Sequence, residues 1–355
     1  MSATMPGRTP DGEATTAMRR LRLDRNERLR AAPELADLLA SVPLETVGRY
    51  PDAGDLEAAL ADRWRVAPDR VLVTAGADDA IDRMTRALPT SRREILSVTP
   101  TFEMYPFFAR LAAARVVAIP CLDDPAPDEL LGAVGPRTGA VVVVTPHNPT
   151  GRSGATARRS DVARAVPDRW LVVDLAYVEF SDEDPTPTLL ERPNAVVIRT
   201  LSKAWGLAGV RIGYALGSPA AIERLRKAGP PYAVAGPSLW IAERALSMEE
   251  RITRPYVEAV RRERDRLGEL LRGLGAEVFP SCANFVLARL DGAAVFARSL
   301  ARQGIFVRRF DGEGDLVRIT LPGDPTAFAR LERTVRSAWP EGLRPSGAAA
   351  PGALT

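Results

Sequence analysis

The stretch AVVVVTPHNPTG, residues 140–151, is an unbroken apolar run followed at once by a polar turn. Its first five residues, Ala140–Val144, show no alternation of polar and apolar side chains. Such a run is typical of a strand buried on both faces of a parallel sheet, because a half-exposed strand would alternate. The stretch therefore predicts a parallel sheet covered by helices, which is an α/β layered fold.

Similar apolar, β-branched runs recur on both sides of this stretch, from about residue 55 to residue 216, and they alternate with helical patterns. The further predicted strands are Arg70–Thr74, Glu94–Val98, Val116–Ile119, Trp170–Val173, Ala195–Ile198 and Ile212–Leu216. This alternation favours one large domain with a mostly parallel sheet, whose strands we expect to be buried on both faces.

The pattern changes after Pro237, where a long amphipathic helix is followed by short strands. We predict helices over Arg251–Gly273 and near Gly292–Gln303, and strands at Glu277–Phe279, Asn284–Leu290, Ile305–Arg309 and Leu316–Thr320. These elements predict a smaller α+β domain. A chain of 355 residues has room for both domains.

The predicted organisation has five parts. Residues 46–245 form the large domain and residues 246–340 the small one, while residues 17–45 form an N-terminal segment associated with the small domain. Residues 1–16 and 341–355 are rich in small and polar residues and show no hydrophobic period, so we expect both ends to be disordered.

Composition and charge argue against several classes of protein. The formal net charge is +3, from 48 basic and 45 acidic residues that are interspersed, so nucleic-acid binding is not indicated. No stretch approaches the length of a bilayer span and the N-terminal residues lack an apolar run, so neither membrane insertion nor secretion is expected. Cys121 and Cys282 match no disulfide framework or zinc spacing. We therefore expect a cytoplasmic protein without a metal.

Three polar clusters follow three of the predicted strands. Thr145–Gly151 follows Ala140–Val144, Asp174–Tyr177 follows the strand that starts at Trp170, and Ser202 and Lys203 come shortly after a third strand. Ligands of open α/β sheets bind outside the carboxyl ends of the strands. We therefore expect all three clusters to face one crevice.

The side chains of these clusters match the substituents of pyridoxal 5′-phosphate (PLP). Lys203, one of two lysines in the chain, can form a Schiff base with the cofactor aldehyde and then move a proton at the substrate α-carbon. Asp174 can keep the pyridine nitrogen protonated. Asn148 and Tyr177 can hydrogen-bond the ring hydroxyl.

The phosphate of PLP needs backbone amides, a hydroxyl and a guanidinium. Ala77 and Asp78 lie between a predicted strand and a helical run that begins near Asp79, and a helix N-terminus favours anions. We predict that Ser202 and Arg211 complete this phosphate site.

The segment RTLSKAWGLAGVRIGY, residues 199–214, closely resembles the PLP-lysine segment of class I and II aminotransferases, most of all the histidinol-phosphate aminotransferases. Further matching motifs follow in that family's order over about residues 20–335: RYPD (49–52), GADD (76–79), PTFEMY (100–105), PHNPTG (146–151), NFVL (284–287) and VRIT (317–320). The resemblance implies the fold-type I architecture of PLP-dependent transferases, with a large, mostly parallel-sheet domain and a small α+β domain.

The resemblance also implies roles for residues whose spacing alone is uninformative. Phe102 would stack on the cofactor ring, and Tyr50 would reach the cofactor phosphate of the neighbouring subunit, which implies a homodimer. Arg318 and Arg308, with Asn148 beside them, would hold the carboxylate or phosphate of the substrate. From spacing alone, Phe102 is equally well explained as a core aromatic, Tyr105 can also be a core aromatic, and Asn148 is better explained as a turn residue.

The predicted activity is amino transfer between an amino acid and an oxo substrate. The leading pair is histidinol phosphate and imidazole-acetol phosphate with 2-oxoglutarate, and aromatic amino acids or a specialised oxo acid are close alternatives. PLP-dependent decarboxylation of an amino-acid phosphate and a non-catalytic PLP-fold binding module also stay open. Two departures from the family pattern concern the pocket: Leu175 stands in the DLAY segment where the family has an acid, and Arg28 interrupts the N-terminal Asn26–Leu29 segment.

Overall fold

The computed structural model describes residues 20–122, 127–154, 156–310 and 315–339. The strands in these ranges, numbered in chain order, are β1 (Leu21–Leu23), β2 (Val71–Thr74), β3 (Glu94–Thr99), β4 (Arg115–Pro120), β5 (Thr138–Val144), β6 (Trp170–Asp174), β7 (Ala195–Thr200), β8 (Gly213–Gly217), β9 (Glu277–Val278), β10 (Phe285–Arg289), β11 (Ile305–Arg309) and β12 (Leu316–Thr320). The segments predicted to be disordered, residues 1–16 and 341–355, lie outside the described residues.

Helices cover the sheets and connect their strands. They are α1 (Glu34–Ala40), α2 (Glu45–Gly48), α3 (Gly54–Trp64), α4 (Gly76–Arg86), α5 (Met104–Leu111), α6 (Pro127–Gly132), α7 (Thr156–Ala165), α8 (Thr186–Leu190), α9 (Pro219–Lys227), α10 (Gly236–Leu246), α11 (Glu249–Ile252), α12 (Arg254–Gly273), α13 (Ala293–Arg302) and α14 (Pro325–Ala338). None of these described helices combines the length and the apolarity that a membrane crossing requires.

The large sheet has the strand order β2-β8-β7-β6-β5-β3-β4. Of its described strands, β8 alone runs opposite to the other six, so the prediction of a mostly parallel sheet in an α/β fold is confirmed. Strands β6 and β7 are buried along their whole length, because helices cover both faces. Each fully buried valine or isoleucine contributes roughly 1.5–3 kcal/mol, so these central strands form a rigid support for the loops at their ends.

The expectation that every strand of this sheet is buried on both faces is wrong for β4. Its residues are exposed or half-buried, and β4 lies at one edge of the sheet with β3 as its single partner, whereas β2 at the other edge is buried. The predicted helix over Arg251–Gly273 is in fact two helices, α11 and α12, that meet at Thr253. Pro255 lacks the N–H that a continuous helix would need at this point.

The register of the large sheet aligns the ends of its central strands. Val144 at the end of β5 pairs with Asp174 at the end of β6, and Asp174 pairs with Ile198 in β7. The loops after these three strands therefore emerge side by side at one edge of the sheet.

The second sheet has the order β1-β11-β12-β10-β9, in which β1 runs parallel to β11. Strand β1 comes from the N-terminal part of the chain and the other four strands come from the C-terminal part. The residues that follow β1 are thereby brought back toward the large sheet. The domain boundary between residues 245 and 246 remains a prediction.

Candidate active site

A cavity of about 480 Å³ opens at the carboxyl ends of β5, β6 and β7. Its wall comes from the loops after these strands, the first turn of α4 and the segment after β1. The predicted site residues in this wall are Ala77, Asp78, Phe102, Asn148, Asp174, Tyr177, Ser202, Lys203 and Arg211. Tyr50, Arg308 and Arg318 lie outside it.

Lys203 projects into this cavity from the loop after β7. Its Nζ donates a hydrogen bond to the backbone oxygen of Arg25 at 3.2 Å and lies 5.8 Å from the centre of the Tyr177 ring. Lys227, the other lysine, lies on the surface of α9 and pairs with Glu223 at 3.0 Å. Lys203 is therefore the lysine whose amine is available inside the cavity.

Asp174 ends β6 and forms part of the cavity wall with only 2% of its surface exposed. Its Oδ1 accepts from the backbone N–H of Ala176 at 3.0 Å, and its Oδ2 accepts from the Tyr105 hydroxyl at 3.1 Å. Burial raises the pKa of Asp174 from 3.8 to about 6, although both hydrogen bonds favour the ionised form. A buried carboxylate in this state is stabilised by a cationic partner, which a protonated pyridine nitrogen would supply.

Asn148 and Tyr177 face the same cavity from the loops after β5 and β6. The Tyr177 hydroxyl accepts from Asn26 Nδ2 at 2.9 Å, and Asn148 Oδ1 accepts from Arg318. Each side chain keeps a further hydrogen-bonding capacity, the hydroxyl proton of Tyr177 and the amide N–H groups of Asn148. Both can therefore bond to an oxygen of a ligand in the cavity.

The predicted phosphate site lies where α4 meets the end of the 199–211 loop. Helix α4 begins at Gly76, three residues before the expected start, so the first-turn amides of α4 belong to the cavity wall. Arg211 lies within 3.3 Å of Asp78, and a Cβ on Gly76 would come within 2.7 Å of the Arg211 guanidinium. Gly76 also has φ 81°, a conformation that glycine adopts without strain. This close approach therefore depends on a glycine.

Ser202 is held in place at this phosphate site by Thr200. The Ser202 backbone N–H donates to Thr200 Oγ1 at 3.1 Å, and the Thr200 hydroxyl lies 2.9 Å from Ser202 Oγ. The Ser202 hydroxyl is therefore held in the wall of the cavity to which Ala77 and Asp78 also belong.

Arg318 does not belong to the cavity wall but contacts Asn148, which does. It is 7% exposed, donates to Asn148 and, at 3.0 Å, to the backbone oxygen of Asp24, and its Nε has no hydrogen-bond partner among the described residues. Burial lowers the pKa of this guanidinium. Arg308 lies directly opposite Arg318 in the β11–β12 ladder and forms an ion pair with Glu103.

Tyr50 lies on the outer surface, where 82% of its area is exposed and its ring stacks on Tyr232 at 4.8 Å. Leu44, which directly precedes helix α2, and Val47 within that helix are 84% and 70% exposed. Clustered exposed apolar side chains typically mark an interface with another protein. The described chain therefore presents Tyr50 within an uncovered apolar surface.

Two departures from the family pattern have different consequences. Leu175 is fully buried in the hydrophobic core, so its side chain does not face the cavity. Arg28 is part of the cavity wall, donates to the backbone oxygen of Ile252 at 2.8 Å and lies over the Tyr256 ring at 4.5 Å. Of the two residues, Arg28 is the one that can alter the pocket.

Sequence reasoning did not identify Tyr105 and Asn26 as site residues. Tyr105 is fully buried and donates to Asp174, while Asn26 donates to Tyr177. Tyr105 lies in the same short segment as Phe102, so the site role predicted for Phe102 could have pointed to Tyr105 as well. Asn26 is far from Tyr177 in the sequence, and its contact depends on the pairing of β1 with β11.

The chain is similar in sequence to known aminotransferases. The sequence model described as "Aminotransferase class I and II" matches residues 22–331. An aromatic amino acid aminotransferase of Thermobifida fusca (strain YX) is 35% identical over 297 residues, which cover 81% of this chain and 82% of that protein. A histidinol-phosphate aminotransferase of Xanthomonas euvesicatoria pv. vesicatoria (strain 85-10) is 37% identical over 296 residues, covering 79% and 82%.

A solved structure shows the same architecture with the cofactor bound. Histidinol-phosphate aminotransferase from Sinorhizobium meliloti in complex with pyridoxal 5′-phosphate matches with a TM-score of 0.80 and 25% sequence identity. The match covers 94% of this chain and 96% of that chain.

Proposed function

The chain belongs to the class I and II aminotransferase family, and from that premise we propose that it transfers an amino group between an amino donor and a 2-oxo acid, with PLP held at Lys203. One observation carries the proposal. A single cavity holds a lysine amine, a buried carboxylate, a phenol and a carboxamide at the ends of three adjacent strands.

The residues of the cavity fit the parts of the cofactor. When bound, PLP supplies a ring that accepts the electrons left when a bond to the substrate α-carbon breaks. Asp174 would hold the proton on the ring nitrogen, and Asn148 and Tyr177 would bond the ring hydroxyl. Phe102 would pack on the ring face.

The phosphate would be held by the group of residues at the start of α4. The backbone N–H groups of Ala77 and Asp78, the Ser202 hydroxyl and the Arg211 guanidinium would provide its hydrogen bonds. Tyr50 of a second subunit would add a phenol from across a homodimer interface.

Lys203 would perform the proton transfer. Its amine would hold the cofactor covalently, and its Nζ, once free, would take the proton from the α-carbon of the donor. Arg318, supported by Asn148, would orient the carboxylate or phosphate of the donor so that the α-proton faces Lys203.

The direct test supplies the PLP-loaded protein with one donor at a time and measures the oxo product of a single turnover. We expect an oxo product from at least one of glutamate, histidinol phosphate and the aromatic amino acids. Release of carbon dioxide from an amino-acid phosphate would instead support the decarboxylase alternative. A PLP-loaded protein that converts no donor would support a non-catalytic binding module.

Two donor classes remain for this test to separate. Histidinol phosphate, with imidazole-acetol phosphate as its oxo product and 2-oxoglutarate as acceptor, would use both Arg318 and Arg308 for its phosphate. An aromatic amino acid is favoured by Glu103, because this carboxylate pairs with Arg308 and neutralises its charge beside Arg318. Each class is named among the relatives.

The Glu103–Arg308 pair predicts a change in donor preference. The two side chains are 64% and 45% exposed, and such pairs contribute at most about 1 kcal/mol. We expect Glu103→Gln to release Arg308 and to raise kcat/KM for histidinol phosphate relative to phenylalanine about fivefold. Steady-state kinetics with both donors would measure this ratio.

The matched control is Glu277→Gln, which removes a similarly exposed carboxylate from an ion pair with Arg289 on the small sheet. Its donor ratio should equal that of the wild type. An unchanged ratio in Glu103→Gln, or an equal change in both variants, would show that Glu103 does not influence donor choice.

The exposed apolar surface around Tyr50 predicts a homodimer. We expect Val47→Asp, which places a charge on the 70%-exposed Val47 position, to shift the protein to the monomer at micromolar concentration. We also expect weaker PLP binding in this variant, because the partner's tyrosine would be lost from the site. Sedimentation velocity and PLP titration would measure both effects.

The control for this prediction is Val295→Asp on α13, since Val295 is also an exposed valine, at 52%. It should leave the sedimentation coefficient unchanged. A wild-type protein that sediments as a monomer at all concentrations would contradict the assignment of Tyr50 to a neighbouring site.

A further inference from the structure

Asn26 occupies an unusual backbone position in the segment between β1 and α1. It is 1% exposed and has φ 55°, a left-handed conformation that asparagine adopts more readily than most residues. The two residues before it hold their backbone oxygens against site groups, since Asp24 accepts from Arg318 at 3.0 Å and Arg25 accepts from Lys203 at 3.2 Å. The segment is therefore anchored to the site by consecutive residues.

The hydrogen bonds of Asn26 define the orientation of its side-chain amide. Thr320 Oγ1 accepts from the Asn26 backbone N–H at 3.1 Å and donates its own proton to Asn26 Oδ1 at 2.9 Å. Asn284 Nδ2 donates to the Asn26 backbone oxygen at 3.2 Å. Because Oδ1 faces Thr320, Nδ2 faces the Tyr177 hydroxyl, to which it donates at 2.9 Å.

This contact decides the direction of the Tyr177 hydroxyl proton. A phenol has one proton and can also accept. Since the Tyr177 oxygen accepts from Asn26, its own proton is left for an acceptor on its other side. Tyr177 forms part of the cavity wall, so that acceptor would be a ligand in the cavity.

We propose that Asn26 is a positioning residue that acts through Tyr177, directing the Tyr177 hydroxyl proton toward the ring oxygen of bound PLP. The proposal rests on the proposed function, in which Tyr177 contacts that oxygen. Asn26 itself touches neither cofactor nor substrate in this role. Its hydrogen bonds to Thr320 of β12 connect the second sheet to the hydrogen bonds of the cofactor site.

Asn26→Asp is the sharpest test because it changes little except the donor. The variant keeps the size of the side chain, the Oδ1 acceptor for Thr320 and the tolerance for a left-handed backbone. It replaces Nδ2 by a carboxylate oxygen, which can only accept, so the Tyr177 proton would turn toward it and away from the cavity. We expect the Kd for PLP to rise about tenfold and the visible absorbance of bound PLP to shift.

A double-mutant cycle with Tyr177→Phe separates this role from a structural one. If Asn26 acts through the phenol, Asn26→Asp should change the Kd and the absorbance much less when Tyr177 is already phenylalanine. Arg318 and Lys203, the two cations near Tyr177, stay unchanged throughout the cycle.

Asn284→Asp is the matched control, since it makes the same chemical change at a residue whose side-chain amide donates to the backbone oxygen of Asn26 and not to Tyr177. We expect its Kd for PLP to stay within about twofold of the wild type. If Asn26→Asp does not fold, Asn26→Gly keeps the left-handed backbone and deletes the amide, and the same dependence on Tyr177 is expected.

Equal effects of Asn26→Asp and Asn284→Asp, or full effects in the Tyr177→Phe background, would overturn the proposal and leave Asn26 as a scaffold residue. If the Tyr177→Phe variant binds PLP with the affinity and absorbance of the wild type, the assignment of Tyr177 to the cofactor site is overturned as well. The two failures are thus distinguishable by the single variant Tyr177→Phe.

Discussion

Lys203→Ala is expected to abolish amino transfer, with a loss of turnover of at least about 10⁴-fold, the scale seen when a covalent nucleophile or its catalytic base is removed. The effect should be large because one amine has two tasks, to hold the cofactor covalently and to move the proton at the substrate α-carbon. The variant should also lose the visible absorbance that PLP acquires on binding to a lysine. Single-turnover assays with the best donor and absorbance spectra measure the two losses.

Because the chain contains two lysines, the result of Lys203→Ala is simple to interpret. Lys227 is the single other lysine, and it is an exposed residue of α9 paired with Glu223. Lys227→Ala should therefore keep full activity. Borohydride reduction followed by peptide mass spectrometry should place PLP on Lys203, and PLP found on Lys227 or full turnover by Lys203→Ala would disprove the assignment.

Asp174→Asn is expected to lower kcat by about 10²–10³-fold, which corresponds to the loss of one partner of a buried charge pair. The amide keeps an acceptor for the Ala176 N–H and has nearly the same size. It cannot carry the negative charge that would keep the ring nitrogen protonated. Binding of PLP should weaken less than kcat falls, because Asp174 would act mainly on the electrons of the ring.

The same residue predicts a pH dependence of stability in the PLP-free protein. Burial raises the pKa of Asp174 from 3.8 to about 6, so between these values the folded chain binds more protons than the unfolded chain. Stability should therefore fall as pH rises through this window, by on the order of 3 kcal/mol for two pKa units. Denaturant titrations of wild type and Asp174→Asn from pH 4 to pH 7 should show this fall as a difference between the two proteins.

The control for both Asp174 predictions is Asp161→Asn, because Asp161 is a half-exposed surface residue of α7 that pairs with Arg164. It should change neither kcat nor the pH dependence of stability.

Bound PLP should reduce the pH-dependent loss of stability in the wild type, since a protonated ring nitrogen stabilises the ionised carboxylate. If kcat of Asp174→Asn matches that of the wild type, Asp174 does not contact the ring nitrogen.

The strands and the core of the site could be predicted because they depend on local patterns. An apolar β-branched run such as Ala140–Val144 has few alternatives to a buried strand, and a polar cluster after it must lie at the carboxyl end of that strand. Lys203, Asp174 and Asn148 therefore share one crevice once their strands are parallel neighbours. The exposure of β4 was missed because it depends on the position of β4 in the sheet, whereas the break at Thr253 had a local signal, Pro255, that the helix prediction overlooked.

The contacts of the arginines and of the N-terminal segment could not be predicted in this way. Arg308 meets Glu103, and Asn26 meets Tyr177, across separations of more than a hundred residues. No local periodicity encodes such pairs, because they form only when the small sheet packs against the edge of the large one.

The sequence by itself determined the α/β class, the described strands other than β1, the family and the residue types at the strand ends, since each follows from side-chain patterning within a few residues. Only the tertiary structure decided that Tyr105 holds Asp174, that Asn26 orients Tyr177 and that Glu103 neutralises Arg308. The physical reason is that hydrogen bonds and ion pairs act over about 3 Å, and the distances between these groups depend on the packing of the two sheets.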